Sequence, residues 1–201
     1  MREQSRHFDK MWFVLPFAIL FYVMPWMLNS SAVLSIGAYD IAELLAKRPF
    51  DDVTYATTLI LRGHLVLFTW LIAIGTQRPL FSASWWWHLI AGLVLVVAQL
   101  PPLTFINDLS DSNQQQQALL AMVSLLGVAI GLTGYVWRYR HGLRVIITIG
   151  GVIMTIYGTT NALAILSDYS LPANVGLGAI GLGGLYIVLG IVSLYQLAKS
   201  R

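Results

Sequence analysis

The chain has 201 residues, 57% of them hydrophobic and 10% charged, with a mean hydropathy of +0.71, whereas soluble domains carry charge at about 25% of positions. Twelve basic and nine acidic residues cannot cover a water-facing surface of this size, so a soluble globular domain is excluded and the solvent is lipid. The absence of cysteine excludes disulfides, thiolate metal sites, iron–sulfur ligation and thiol nucleophiles, and the net charge of +3 acquires meaning only from where the charges sit.

Six stretches free of Asp, Glu, Lys and Arg predict an all-α fold: a polytopic bundle of six transmembrane helices forming one domain over residues 1–201. Trimmed to the length that crosses about 30 Å of hydrocarbon, the spans fall at about 11–29, 56–77, 85–103, 117–137, 145–166 and 174–196. The first, with Pro16 and Pro25, is longer than the apolar region of a secretory signal and reads as an uncleaved helix with Trp26 near the outer interface.

The outer segment over residues 30–55 carries Asp40-Ile41-Ala42-Glu43, an N-cap followed three residues later by Glu. With Ile41, Leu44 and Leu45 on one face and Pro49 as a stop, it predicts a short amphipathic helix near 41–47 lying on the outer membrane surface. Asp51 and Asp52 would cap the second span. The four carboxylates Asp40, Glu43, Asp51 and Asp52 match no calcium-loop spacing and read as caps and solvated groups.

The second span holds the intramembrane charge, Arg62, and with it His64. A charge near the bilayer centre costs about 2.5–3.5 kcal/mol even on the lenient insertion scale, so Arg62 is expected to snorkel to headgroups or to pair with Asp51, Asp52 or a partner's carboxylate. Trp70 alone among the tryptophans lies deep. At the start of the third span, Trp85, Trp86 and Trp87 precede His88. Belt anchoring is their ordinary role, with a quinone ring or pigment as the alternative. His64 and His88 as paired haem ligands are disfavoured, because the helical rise places them near opposite faces of the bilayer. These two histidines and three tryptophans are the candidate cofactor-binding residues.

Asp111-Ser112-Asn113-Gln114 offers a cap to the fourth span, and Gln115 to Gln117 continue its polar start. Small residues then mark helix faces: Ser124, Gly127, Gly131 and Gly134 in the fourth span, Gly151 and Gly158 in the fifth, and Gly176, Ala179, Gly183, Gly190 and Ser193 in the sixth. Such faces let backbones approach, so spans four to six are expected to form the tightest part of the bundle or to meet a partner. Gln99, Thr159, Thr160 and Asn161 are expected to bond between helices. Gly176 to Gly181 spell the dinucleotide fingerprint GxGxxG, but no predicted strand precedes it and no acidic ribose partner follows, so it reads as packing.

The charges report topology. With the N-terminus inside, the inner segments hold nine Lys or Arg against Glu3 and Asp9, and the outer side three Lys or Arg against seven acids. That asymmetry predicts both termini on the cytoplasmic side of a cell or inner membrane. Basic residues scattered over four inner segments also exclude a nucleic-acid patch.

No Ser/His/Asp grouping, HExxH or intramembrane acid is present in the sequence, which argues against hydrolytic chemistry and proton-coupled pumping. The leading expectation is a non-catalytic integral membrane subunit that docks in and stabilises a larger complex, an electron-transfer or photosynthetic one among the options. Its partners would be lipids and other integral membrane subunits. No cofactor is expected beyond bound lipid, with quinone or pigment as the alternative occupant. A small transporter or channel is the second reading, since six spans permit a three-plus-three inverted repeat, although the prolines of the first half have no counterparts in the second. A pigment- or quinone-binding membrane protein is the third.

Overall fold

The computed structural model describes residues 11–29, 34–47, 51–76, 80–106, 110–171 and 173–199. The protein is mostly helical: α1 (Met11–Val23), α2 (Ala38–Ala46), α3 (Asp52–Ala73), α4 (Ala83–Val97), α5 (Ser112–Leu132), α6 (Arg140–Asp168) and α7 (Leu177–Lys199). Four of these, α3, α5, α6 and α7, are long and apolar enough to cross a membrane. Large apolar side chains such as Leu126 on α5, Ile149 and Ile153 on α6 and Ile187 and Ile191 on α7 are exposed, an apolar exterior that suits lipid rather than water.

The other two apolar helices are shorter than expected. α1 ends at Val23 instead of near 29, because the residue before Pro25 is pushed out of the helical region. The chain turns there, and Trp26 N–H donates to the Ile36 carbonyl at 2.8 Å. α4 ends at Val97, short of the predicted 103, with Pro101-Pro102 beyond it as the stop. At 13 and 15 residues, these helices rise about 20 and 22 Å.

The fold is not wholly helical. β1 (Met27–Asn29), β2 (Leu34–Ile36) and β3 (Asn174–Val175) form a three-stranded antiparallel sheet in the order β2-β1-β3, with Met27 opposite both Ile36 and Val175. Strands this short carry no readable alternation. They arise because the backbone leaving α1 must pair its polar groups near the membrane.

α2 starts earlier than predicted, and its N-cap is Gly37, with no side-chain cap; Asp40 falls within the first turn. Nor is the apolar face of the helix free to meet lipid. Ala38, Ile41, Ala42 and Leu45 are fully buried in the main core, so its apolar face is spent on α3. The predicted Pro49 stop, Arg78 and the charges before residue 11 lie outside the described residues.

The other caps form as the spacing requires. Asp51 accepts from Thr54 N–H at 2.7 Å at the start of α3, and Asp111 accepts from Asn113 and Gln114 N–H at 2.8 and 3.3 Å at the start of α5. α3 is the hub, packed against α2, α4, α5 and α6, while α6 and α7 form the longest seam. Of the expectation that spans four to six form the tightest part of the bundle or meet a partner, the first part holds for spans five and six, which are α6 and α7, while α5 packs instead on α3 and α4. Gly134, placed in the fourth span by sequence, lies beyond the end of α5 with φ of 69°, a left-handed turn that suits glycine.

Candidate functional site

Ten residues into α3, Arg62 is 1% exposed. It reaches neither the headgroups nor Asp51 and Asp52. Its Nη2 pairs with Glu43 Oε1 at 2.6 Å, and its Nη1 donates to Gln116 Oε1 at 2.8 Å. Gln116 Nε2 in turn donates to the Tyr55 carbonyl at 2.9 Å and to Thr58 Oγ1 at 3.1 Å, while Gln117 Nε2 donates to Glu43 Oε1 at 2.8 Å. The Tyr39 ring faces the guanidinium at 5.8 Å. Burial, together with the negative charge of Glu43, pushes the Tyr39 phenol above its ordinary range, so it remains a neutral donor.

Three elements build this clasp. The apolar face of α2 seats the helix on α3 and thereby delivers Glu43. The first turns of α5 deliver Gln116 and Gln117, and α3 supplies Arg62, Thr58 and the Tyr55 carbonyl. Sequence reasoning picked out Arg62 but missed its partners. Glu43 was read as part of the capping pattern and the glutamines as a polar helix start. The usable signal was that a cation at this depth demands a carboxylate; nothing local singled out Glu43, whose spacing from Asp40 read as a cap.

Half a turn further along α3, His64 is fully buried among rings. Its Nδ1 lies 3.1 Å from the Tyr186 hydroxyl, the two rings stack at 5.7 Å, and Trp26 meets the imidazole edge-on at 5.3 Å. Tyr22 and Phe68 close the cluster. Trp26, expected in the outer belt, is fully buried, with its indole N–H on the Phe21 carbonyl at 3.0 Å. Two polar atoms in the cluster, His64 Nε2 and the Tyr22 hydroxyl, have no hydrogen-bond partner among the described residues.

His64 and His88 are engaged separately. His88 is buried, with Nδ1 2.7 Å from the Ser84 carbonyl of its own helix, and lies beside Phe68, Leu71 and Tyr186. Trp85 donates from its indole to the Leu132 carbonyl at 3.0 Å and so ties α4 to the end of α5, whereas Trp86 and Trp87 are exposed. Among the described residues no group of three or more His, Cys, Asp or Glu side chains is placed to hold a metal.

The glycines singled out by sequence meet specific neighbours. A Cβ at Gly127 would strike the Trp70 indole, and one at Gly131 would meet Ala73 backbone at 2.5 Å. At Gly151 it would meet the Tyr186 ring at 2.6 Å, and at Gly158 Ile60 and Leu61 at 3.1 and 3.2 Å. Gly183 and Gly190 face Thr155 and Thr148 across the α6–α7 seam at 3.5 and 3.1 Å. Gly176 precedes α7 and sits against the Pro25 carbonyl. A two-residue strand does precede the GxGxxG run, yet Gly178 and Gly181 press on Trp26 and Phe21, so protein fills the space a pyrophosphate would need. Between α4 and α5, Ser124 donates to Gln99 at 2.9 Å, whereas Thr160 bonds its own helix.

Comparison with protein-family models, curated proteins and solved structures finds no match.

Proposed function

We propose that the protein is a membrane subunit of six spans, α1 and α4 serving as the short ones, with both termini cytoplasmic in a cell or inner membrane. It has no catalytic role of its own and stabilises a larger assembly by docking against other integral membrane subunits. The observation that carries this reading is a pair of outward helix faces. On α6, Gly142 and Gly150 have nothing within 4 Å of a Cβ among the described residues, and they share a face with exposed Ile146, Ile149 and Ile153. On α7, Gly184 is equally open and lies between exposed Ile180, Ile187 and Ile191. Among the described residues no neighbour needs these glycines to be small, while glycine beside β-branched residues lets a second helix approach closely. The polar clasp is meanwhile consumed internally, with the charge of Arg62 met by Glu43.

Native electrophoresis from the source membrane in mild detergent, with mass spectrometry of co-migrating bands, tests the reading. Other integral membrane proteins should accompany the chain and be lost on Gly150→Leu or Gly184→Leu, changes that fill open space. A monodisperse monomer without co-migrating subunits would overturn it.

A further inference from the structure

The ends of α3, α4 and α5 that are inner in the proposed topology lie at one level. A Cβ at Gly131 near the end of α5 would meet the carbonyl oxygen of Ala73, the last residue of α3, at 2.5 Å. Trp85, in the first turn of α4, donates to the Leu132 carbonyl at the end of α5. The outer ends do not align. Ser124 bonds Gln99, two residues past the end of α4, at 2.9 Å, yet Ser124 stands twelve residues beyond the start of α5, which therefore overshoots α4 by about 18 Å. Tyr22 and Trp26, on either side of the end of α1, meet His64 at 6.3 and 5.3 Å. His64 stands twelve residues beyond the start of α3, so α3 overshoots α1 by about the same 18 Å. Both short helices stop near the mid-height of their neighbours.

Charge marks the same height. α2 is fixed there by the pair of Glu43 with Arg62, ten residues beyond the start of α3, and Asp40 on α2 and Lys47 at its C-cap are exposed. Exposed charges need headgroups or water. The overshooting turns are polar to match, with Thr54, Thr57 and Thr58 on α3 and Gln114 to Gln117 on α5. Beyond Val97 the chain is irregular until Leu103, with Leu100 and Pro102 exposed, and irregular backbone facing lipid is excluded from hydrocarbon. On the opposite flank α6 carries no charged residue from Val145 to Ser167, a rise of about 34 Å. We propose, on the reading above that α1 and α4 cross the membrane, that the flank they form thins the bilayer. Phospholipid headgroups of the outer leaflet are drawn down to the height of α2, leaving about 21 Å of hydrocarbon beside α1 and α4 against the usual 30 Å or so. A span shorter than the bilayer is met in this way. Lys10 precedes α1 in the sequence, so its apolar rise is no longer than the helix, and Val23 and Val97 present apolar surface up to the last turn of each.

The chain has no cysteine, so single cysteines can be spin-labelled in the full chain in dioleoylphosphatidylcholine nanodiscs. Val23→Cys and Val97→Cys should relax with a water-soluble nickel chelate. Ile156→Cys, exposed about 24 Å along α6 against about 21 Å along α4 for Val97, should relax with oxygen, and its ratio of nickel to oxygen accessibility should be severalfold lower. Val97→Lys should keep the parent's elution volume and unfolding temperature, whereas Ile156→Lys should lose folded protein, because it puts a charge into hydrocarbon. Leu80→Cys and Leu100→Cys, on either side of α4, should be labelled by an impermeant maleimide from opposite sides of sealed vesicles. Labelling of both from one side overturns the six-span reading and the thinning with it. Opposite-side labelling with Val97→Cys shielded from the nickel chelate, or with Val97→Lys as damaging as Ile156→Lys, overturns the thinning alone.

Discussion

Along α3 the two halves of one helix meet their neighbours by different means. From Asp52 to Arg62 an ionic and amide network of Glu43 from α2, Gln116 from α5 and the helix's own Thr58 is added to the packing of Ile60 and Leu61 on Gly158. From His64 to Ala73 the contacts are rings and glycines: Phe68 beside Tyr186, Trp70 in the space left by Gly127, and Ala73 against Gly131. Lipid offers no hydrophobic drive between helices, so association has to come from close packing or from hydrogen bonds. The N-terminal half, outer in the proposed topology, uses the bonds, where the network is completed from a loop helix. The C-terminal half, inner in that topology, relies on packing. Each half is therefore vulnerable to a different kind of substitution.

The largest effect is expected in the outer half. Glu43→Gln keeps the bond to Gln117 but leaves the Arg62 charge buried without a counter-ion. We expect a loss of about 3 kcal/mol, the low end for breaking a buried pair, because Glu43 keeps 33% of its side-chain surface exposed. Removing both charges, Glu43→Gln with Arg62→Met, should restore most of that loss, since replacing a buried pair by apolar groups is often neutral. Unfolding in bicelles by steric trapping measures both. Equal losses in the single and double variants would mean that the clasp contributes through packing alone.

The inner half should answer to volume. Gly151→Ala places a methyl against the Tyr186 ring at 2.6 Å, and a ring held by His64 and Phe68 cannot yield freely. Overpacking of this kind costs about 1–3 kcal/mol. Gly150→Ala, one residue away and facing open space, should change stability by less than about 0.5 kcal/mol. If the neighbours behave alike in the same assay, close approach at the α6–α7 seam is not what stabilises this half.

Where the halves meet, Tyr186→Phe removes the partner of His64 Nδ1 and little else. Hydrogen bonds between membrane helices average about 0.6 kcal/mol and reach about 1.7, and a loss in that interval is expected. A larger value would move the His64 cluster into the class of the outer clasp.

The same division explains what the sequence made legible. Caps are local, so Asp51 and Asp111 could be read from spacing alone. The long helices α5, α6 and α7 follow from the lengths of the charge-free stretches, while α3 runs through Arg62. Arg62 stood out because a buried cation is costly, but its partner lies 19 residues away on a helix expected to lie on the membrane surface, and Gln116 lies 54 residues away; no local pattern joins them. Trp26 misled for a related reason. A tryptophan at the end of an apolar run looks the same whether it faces headgroups or turns inward onto His64, and only the short sheet over Met27–Asn29 decides that it turns inward.

The smallest effect sits at the outermost point of α3 and separates local from long-range stabilisation. Asp51 is exposed, and its bonds from Thr54 hold its carboxyl below the ordinary value of 3.8. A carboxyl depressed in the folded state contributes stability that is fully present above the unfolded value and is lost as pH falls through the folded one. The wild-type stability profile should therefore bend downward as pH drops below about 4, and Asp51→Ala should remove that part of the bend while lowering stability slightly at neutral pH. Glu43→Gln should retain the Asp51 component, because the cap needs only the first turn of α3. If Glu43→Gln erases it as well, the first turn is ordered by the clasp, and the outer half of the helix behaves as one cooperative unit instead of a capped turn followed by an ionic contact.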